Sequence, residues 1–270
     1  MKGEGLILVD GLAADSIQAM DRGLHYGDGV FRTMKIVAGE IRWWADHYQK
    51  LSSDCASLGL ACPDNALLRQ EVLQVAAQPG VGVVKIIITR GDGKRGYGIP
   101  DEAQPLRMVM GFPAIAHRSR DVQVRWCDLR LSSQPRLAGI KHLNRLENVL
   151  ARSEWTDPDT AEGLLMDEAE RLVCGTMSNL FLLENNRLVT PKLDRCGIAG
   201  VARERLLRAA SRHHMVAFIE EISRQRLLAA EEIFLTNSLI EVWRVASLDH
   251  QRWHDTGLAA KLVNWLNEEN

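Results

Sequence analysis

A lysine just ahead of a predicted helix is the strongest candidate for covalent chemistry in this sequence. Lys141 precedes Asn144, a residue type that caps helix N-termini, and Glu147 stands three positions later, where it can bond back to the cap. Partial burial at this junction would lower the pKa of the lysine amine and make it a usable nucleophile. A solvated loop lysine is the competing interpretation, because most lysines are exposed. On base rates alone, the residues favour the solvated lysine.

A glycine-rich basic segment, residues 90–97, is the second candidate. It follows a β-branched run and contains Arg90, Lys94 and Arg95 ahead of Tyr97. Guanidinium groups on such a loop can bind a planar carboxylate through paired hydrogen bonds. A flexible hairpin tip explains the same composition, since exposed basic turns are common. Contact with nucleic acid would need further basic and aromatic residues in a patch, and the sequence lacks them.

Two short segments could bind a phosphate. Residues 197–202 run into a predicted helix, whose first N–H groups and positive dipole end attract anions. Residues 236–238 end a predicted strand with hydroxyl and amide donors. A plain helix start and a plain turn are the competing interpretations of these segments.

Composition excludes several classes of protein. The chain has 270 residues, 33 Lys and Arg, 35 Asp and Glu and a net charge of −2, so it has no overall basic charge for nucleic acid. No apolar run reaches the length of a signal peptide or a membrane span, so we expect a cytoplasmic protein. Five cysteines without a C-x-x-C pair indicate reduced thiols. We expect no metal, because adjacent His213 and His214 would diverge on a helix.

Periodicity predicts an α+β protein of two lobes that position these residues. The first lobe, 1–112, should contain strands at 6–9, 30–37, 82–90 and 106–112 and helices at 45–58 and 65–77. Residues 113–120 lose periodicity and predict a linker. The second lobe, 121–270, should contain short strands and helices at 201–213, 224–230 and 257–267. A further helix after Asn144 should bury an apolar face formed by Leu143, Leu146, Val149 and Leu150.

Five segments taken together resemble one protein family. Residues 25–31, 90–97, 138–152, 179–181 and 197–201 occur in the order found in the aminodeoxychorismate lyases. These are pyridoxal 5′-phosphate enzymes of fold type IV, in the aminotransferase class IV family. The resemblance implies a small mixed α/β lobe and a larger lobe with a β-barrel-like sheet and helices. It also implies a homodimer that acts on a small-molecule substrate with two carboxylates.

The resemblance assigns roles to individual residues. Lys141 would bond covalently to pyridoxal 5′-phosphate and act as general base and acid. Val201 and Ala202 would bind the cofactor phosphate through their backbone N–H groups, with Ser238 as a further phosphate contact. The substrate contacts would come from the basic loop: Arg90, Arg95 and Tyr97.

Two positions depart from the family pattern. Lys50 replaces an arginine that holds the cofactor phosphate, which keeps the charge but loses the paired hydrogen bonds of a guanidinium. Cys174 replaces a glutamate that pairs with the pyridine nitrogen, so a neutral thiol would stand beside the ring. Both changes bear on cofactor affinity and on the electronic tuning of the ring.

The implied activity is conversion of 4-amino-4-deoxychorismate to 4-aminobenzoate and pyruvate, in folate biosynthesis. Branched-chain or D-amino-acid aminotransferases share the fold and are one alternative, although residues 90–97 and 141–147 favour the lyase. A non-catalytic relative is the other alternative, supported by Lys50 and Cys174. The presence of Lys141 and of the phosphate-binding helix start favours an enzyme.

Overall fold

The computed structural model describes residues 6–115 and 119–268 and divides the chain into two compact units. The first unit contains the chain as far as residue 116 together with Ile140–Asn144, and the second unit contains the remainder. The predicted linker, 113–120, includes residues 116–118, which lie outside the described residues.

The segment that carries Lys141 belongs to the first unit, although we predicted it in the second lobe. Phe31 N donates to Lys141 O at 3.0 Å, and Leu143 N donates to Gly29 O at 2.9 Å. These backbone bonds attach Ile140–Asn144 to a strand more than a hundred residues earlier in the chain. Local periodicity carries no information on such a distant pairing, so it placed this segment with its neighbours in sequence.

An antiparallel sheet forms the first unit. Its elements in chain order are β1 (Ile7–Val9), β2 (Leu12–Ala13), α1 (Arg22–Tyr26), β3 (Gly29–Val37), β4 (Glu40–Ile41), α2 (Trp44–Ser57), α3 (Asn65–Ala76), β5 (Val81–Thr89) and β6 (Leu106–Pro113). The six strands pair in the order β2-β1-β6-β5-β3-β4. Met34, Ile86 and Val109 of the sheet pack with Leu51 of α2 and Val72 of α3 to form the core.

The start of α3 is set by local chemistry that the sequence displays. Asp64 Oδ1 accepts hydrogen bonds from Ala66 N at 2.9 Å and Leu67 N at 3.1 Å. A side-chain acceptor of this kind satisfies N–H groups that have no partner within the helix. The predicted start of this helix at residue 65 is confirmed.

A mixed sheet forms the second unit. Its strands are β7 (Asp121–Leu131), β8 (Thr160–Asp167), β9 (Leu172–Gly175), β10 (Asn179–Glu184), β11 (Arg187–Pro191), β12 (Ala217–Glu220), β13 (Glu232–Asn237), β14 (Glu241–Leu248) and β15 (Gln251–Arg252). Its helices are α4 (Leu146–Arg152), α5 (Val201–Arg212), α6 (Arg224–Leu228) and α7 (Leu258–Asn267). The strands pair in the order β12-β11-β10-β13-β14-β7-β8-β9, and β15 pairs with β14. Strand β7 runs parallel to both of its neighbours, β14 and β8.

The N-terminus of α4 differs from the prediction. Asn144 does not cap this helix, because its Nδ2 donates to Gly27 O at 3.1 Å. Glu147 Oε1 accepts from Ser132 N at 2.9 Å. The N-cap residue is Arg145, whose guanidinium has no acceptor to offer. The predicted capping box is therefore wrong, and each of its members bonds to a residue distant in sequence.

The predicted apolar face of α4 is not buried. Leu146, Val149 and Leu150 are 69%, 60% and 51% exposed, and Ala151 is the residue of α4 that enters the core. Three large apolar side chains on one short helix therefore face solvent in the single chain. Within residues 6–115 and 119–268, no helix is long and apolar enough to cross a membrane.

Candidate active site

Lys141 is held in place by its backbone in the first unit. Its N–H donates to Asp54 Oδ2 at 3.0 Å, and its carbonyl accepts from Phe31 N. The next residue, His142, forms an antiparallel bridge with Val30 of β3. The half-buried Lys141 side chain places Nζ 4.4 Å from the centre of the Phe31 ring. The amine therefore extends from a fixed point beside β3, as the nucleophile interpretation requires.

Asp54 of α2 collects three donors on one carboxylate. Lys50 Nζ donates to Oδ1, and Arg32 donates to Oδ2, which also accepts the Lys141 N–H. The side chains of Asp54 and Arg32 are only 2% and 3% exposed, whereas Lys50 is 20% exposed. Burial lowers the pKa of the Arg32 guanidinium, and the charge of Asp54 acts in the opposite direction. Among the described residues, Arg32 Nε has no hydrogen-bond partner, so this cluster retains one unused buried donor.

The start of α5 in the second unit is a buried group of backbone donors. The N-cap residue is Gly200, which has no side chain to accept from the first N–H groups of the helix. Val201 and Ala202, the first two helical residues, are 6% and 1% exposed. Asn179 fixes this loop, because its Oδ1 accepts from Gly200 N at 3.1 Å and its Nδ2 donates to Ile198 O at 2.8 Å. A buried helix start of this kind is suited to an anion.

Ser238 begins the turn that follows β13, the strand against which α5 packs. Asn237 shapes this turn, since its Oδ1 accepts from Leu239 N at 2.8 Å and Ile240 N at 2.9 Å. The half-buried Ser238 hydroxyl is thus carried on a turn of defined geometry.

Cys174 lies on β9, opposite Leu165 of β8, and is buried. Burial raises the pKa of its thiol, and the neighbouring Cys196 and Glu162 raise it further, while Arg145 opposes them. The thiol is therefore neutral at physiological pH, in agreement with the expectation for a cysteine in apolar surroundings.

Glu162 organises the loop between β9 and β10. This fully buried carboxylate on β8 accepts from Thr176 N at 3.0 Å, Met177 N at 3.1 Å and Ser178 Oγ at 2.8 Å. The Thr176 hydroxyl donates to it as well. The carboxylate thereby fixes the chain that leads from Cys174 towards Asn179.

Arg90, a predicted substrate contact, is buried, and four of its five guanidinium N–H groups donate hydrogen bonds within the chain. Nε and Nη2 donate to the carboxylate of Asp28 at 2.8 and 3.1 Å. Nη1 donates to Gly59 O at 2.9 Å, and Nη2 also donates to Leu58 O at 2.7 Å. A substrate carboxylate would have to displace these partners from a residue that is 4% exposed. A contact between Arg90 and substrate would therefore require these bonds to break, and it stays a prediction.

Arg95 and Tyr97 have the opposite character. Arg95 is exposed, and Tyr97 is 85% exposed. Arg22 holds the chain around them, because its guanidinium donates to Gly96 O and Gly98 O, each at 3.1 Å, and to Tyr97 O at 3.3 Å. The loop is thus anchored through its backbone and presents these two side chains outward.

Comparison with known proteins decides the family. The model of the class IV aminotransferases matches residues 29–248. The chain belongs to the aminotransferase class IV family. An aminodeoxychorismate lyase of Vibrio harveyi is 31% identical to this class IV chain, over 89% of this chain and 90% of that one.

Solved structures agree with this assignment. The structure of 4-amino-4-deoxychorismate lyase from Pseudomonas aeruginosa is 44% identical with a TM-score of 0.93, and covers 98% of this chain and 99% of that one. A PLP-bound hypothetical aminotransferase from Mycobacterium tuberculosis shares the fold at 20% identity, with a TM-score of 0.82 and coverage of 97% of each chain. The predicted family resemblance and the predicted fold class are both confirmed.

The sequence did not predict several polar residues that organise the candidate site. The ion pair of Lys50 and Asp54 has the i,i+4 spacing of a helical salt bridge, and this spacing was the available signal. Glu162 could have been noticed as an acid within an apolar strand. Arg32 and Arg22 gave no local signal, because their partners lie far away in the sequence.

Proposed function

We propose that this chain is a pyridoxal 5′-phosphate-dependent lyase that converts 4-amino-4-deoxychorismate to 4-aminobenzoate and pyruvate, a reaction of folate biosynthesis. The observation that carries the proposal is the placement of Lys141. Asp54 and Phe31 bond both of its backbone groups, so the amine extends from a defined position. Membership of the class IV family and similarity to two lyases support the same activity.

The chain carries groups suited to the cofactor phosphate. The buried start of α5 offers the N–H groups of Val201 and Ala202 and the positive end of a helix dipole. We propose these two groups, the Ser238 hydroxyl and the Lys50 ammonium as the phosphate contacts. Cys174 would stand beside the pyridine nitrogen as a neutral thiol.

Lys141 would perform the proton transfers of the reaction. When bound, the cofactor supplies an electron-withdrawing ring that stabilises negative charge on the substrate carbon next to the amine. The Lys141 amine removes the proton from this carbon. The bond between ring carbon and enolpyruvyl oxygen then breaks, and the electron pair leaves with the oxygen. Lys141 returns the proton to the departing group, which becomes pyruvate, and the remaining ring becomes aromatic.

Two exposed residues of the basic loop would bind the substrate. A substrate with two carboxylates needs cations and donors, and Arg95 and Tyr97 are presented by a loop whose backbone Arg22 holds. Arg90 bonds to Asp28, which also accepts from Arg22, the residue that holds the loop backbone. We therefore propose Arg95 and Tyr97 as the substrate contacts and give Arg90 a structural role.

We also propose that the lyase is a cytoplasmic homodimer. The exposed side chains of Leu146, Val149 and Leu150 form an apolar group on α4, as is typical of a protein interface. All five cysteines are free thiols, as in proteins of reducing compartments. Light scattering should give about twice the 30.2 kDa mass of one chain. A mass of 30.2 kDa at micromolar concentration would contradict the homodimer.

Product analysis tests the lyase directly. Purified protein with pyridoxal 5′-phosphate should release 4-aminobenzoate and pyruvate in equal amounts from 4-amino-4-deoxychorismate, and Lys141→Ala should release neither. Parallel incubation with amino-acid and keto-acid pairs tests the aminotransferase alternative. Amino-group exchange without release of 4-aminobenzoate would overturn the lyase proposal.

A further inference from the structure

One carboxylate connects the lysine at 141 to the cation at 50. Asp54 Oδ2 accepts the Lys141 N–H at 3.0 Å, and Asp54 Oδ1 accepts from the Lys50 ammonium. The buried guanidinium of Arg32 donates to Oδ2 as well. Asp54 is 2% exposed, so water does not compete effectively for these bonds.

We propose that Asp54 is a positioning residue that favours covalent attachment of the cofactor at Lys141 at the expense of phosphate affinity at Lys50. This inference rests on the proposed function and deepens it. Asp54 contacts neither substrate nor cofactor in this proposal, and it acts through the two lysines.

The first half of the proposal concerns Lys141. A charged acceptor bonds its N–H, and hydrogen bonds to charged groups are stronger than those between neutral groups. The bond fixes the backbone from which the amine extends, and small displacements of a reacting group slow a reaction strongly. Loss of the negative charge should therefore slow the bonding of the Lys141 amine to an aldehyde.

The second half concerns Lys50. Its ammonium is paired with Asp54, so part of its attraction for a phosphate is cancelled by a carboxylate within hydrogen-bond reach. The cluster of Arg32, Lys50 and Asp54 carries two positive charges and one negative charge. Removing the negative charge should therefore strengthen the binding of a phosphate at Lys50.

Two probes separate these effects in the variant Asp54→Asn. Pyridoxine 5′-phosphate carries an alcohol in place of the aldehyde and reports phosphate binding without any bond to lysine. Pyridoxal 5′-phosphate reports covalent attachment through the rate at which its visible absorbance changes. We expect the dissociation constant of pyridoxine 5′-phosphate to fall about threefold and the attachment rate to fall about tenfold.

The opposite signs distinguish positioning from general stability. If the role of Asp54 were purely structural, the variant would bind pyridoxine 5′-phosphate more weakly and would also attach pyridoxal 5′-phosphate more slowly. That result would overturn the inference. Unchanged values for both probes would overturn it as well. If the wild-type chain fails to attach pyridoxal 5′-phosphate, the proposed function fails and this inference fails with it.

A second variant and a control keep the test decisive. Asp54→Asn leaves Arg32 without its buried partner, so the double variant Arg32→Met/Asp54→Asn removes both charges. Attachment should again slow about tenfold. The dissociation constant of pyridoxine 5′-phosphate should fall by less than in Asp54→Asn, because the positive charge of Arg32 is lost as well. Glu71→Gln is the matched control, since Glu71 is a buried carboxylate bonded to Arg107 in the same unit. Glu71→Gln should change neither the dissociation constant of pyridoxine 5′-phosphate nor the attachment rate. If it changed both in the same way as Asp54→Asn, the inference would be overturned.

Discussion

Replacing Arg90 with methionine should destabilise the protein and leave the KM for substrate nearly unchanged. The substitution removes two bonds to Asp28 and leaves the carbonyls of Leu58 and Gly59 without this donor. The Arg90 and Asp28 side chains are 5% and 16% exposed. Breaking a buried ion pair costs about 3–5 kcal/mol, and we expect the lower end because Arg22 still bonds to Asp28.

The expected loss corresponds to a large change in melting temperature. In a chain of this size, about 3 kcal/mol lowers the Tm by roughly 6–12 °C. Arg95→Met, on the same loop, should leave the Tm unchanged and raise the KM, because Arg95 is exposed. Thermal unfolding by circular dichroism and steady-state kinetics measure the two effects. An unchanged Tm together with a raised KM for Arg90→Met would refute this reasoning and restore Arg90 as a substrate contact.

The same pair predicts a dependence on pH. Burial alone would raise the pKa of Asp28, but hydrogen bonds from Arg90 and Arg22 outweigh it and hold the pKa below its ordinary value. A carboxylate with a lowered pKa stabilises the fold above its unfolded pKa of about 3.9, and this stabilisation is lost as the pH falls through the folded pKa. The Tm difference between wild type and Arg90→Met should therefore be complete at neutral pH and shrink below about pH 4. A difference that stays constant into acid would show that the charge of Asp28 is not involved.

Further substitutions test the second unit. Cys174→Glu should raise transamination of simple amino acids relative to elimination, because a glutamate keeps the pyridine nitrogen protonated and strengthens the ring as an electron sink. A ratio that stays flat or falls would remove Cys174 from this role. Gly200→Ala should weaken pyridoxal 5′-phosphate binding about tenfold, because the added Cβ would clash with Asn179 Oδ1 and displace the loop. Unchanged affinity at unchanged Tm would show that the start of α5 does not bind the phosphate.

Features fixed by neighbouring residues could be predicted from the sequence. The start of α3 follows from Asp64, whose acceptor serves N–H groups two and three residues later. The neutral state of Cys174 follows from the apolar strand around it. The motifs indicated the family because they occur in the family's order over most of the chain.

Features fixed by distant residues could not be predicted from local patterns. Asn144 is of a residue type that caps helices, but its side chain donates a hydrogen bond to Gly27 O, which is distant in the sequence. The sequence around Arg90 is typical of a solvated basic loop, but Arg90 is buried and donates hydrogen bonds to the distant Asp28. The bond of Asp54 to Lys141 likewise joins residues 87 positions apart.

Mapping the covalent link to the cofactor tests the central claim most directly. The protein is incubated with pyridoxal 5′-phosphate, reduced with borohydride, digested and sequenced by mass spectrometry. The account predicts one modified site at Lys141, and loss of that label together with 4-aminobenzoate release in Lys141→Ala. A label on Lys50, or an active Lys141→Ala variant, would contradict it.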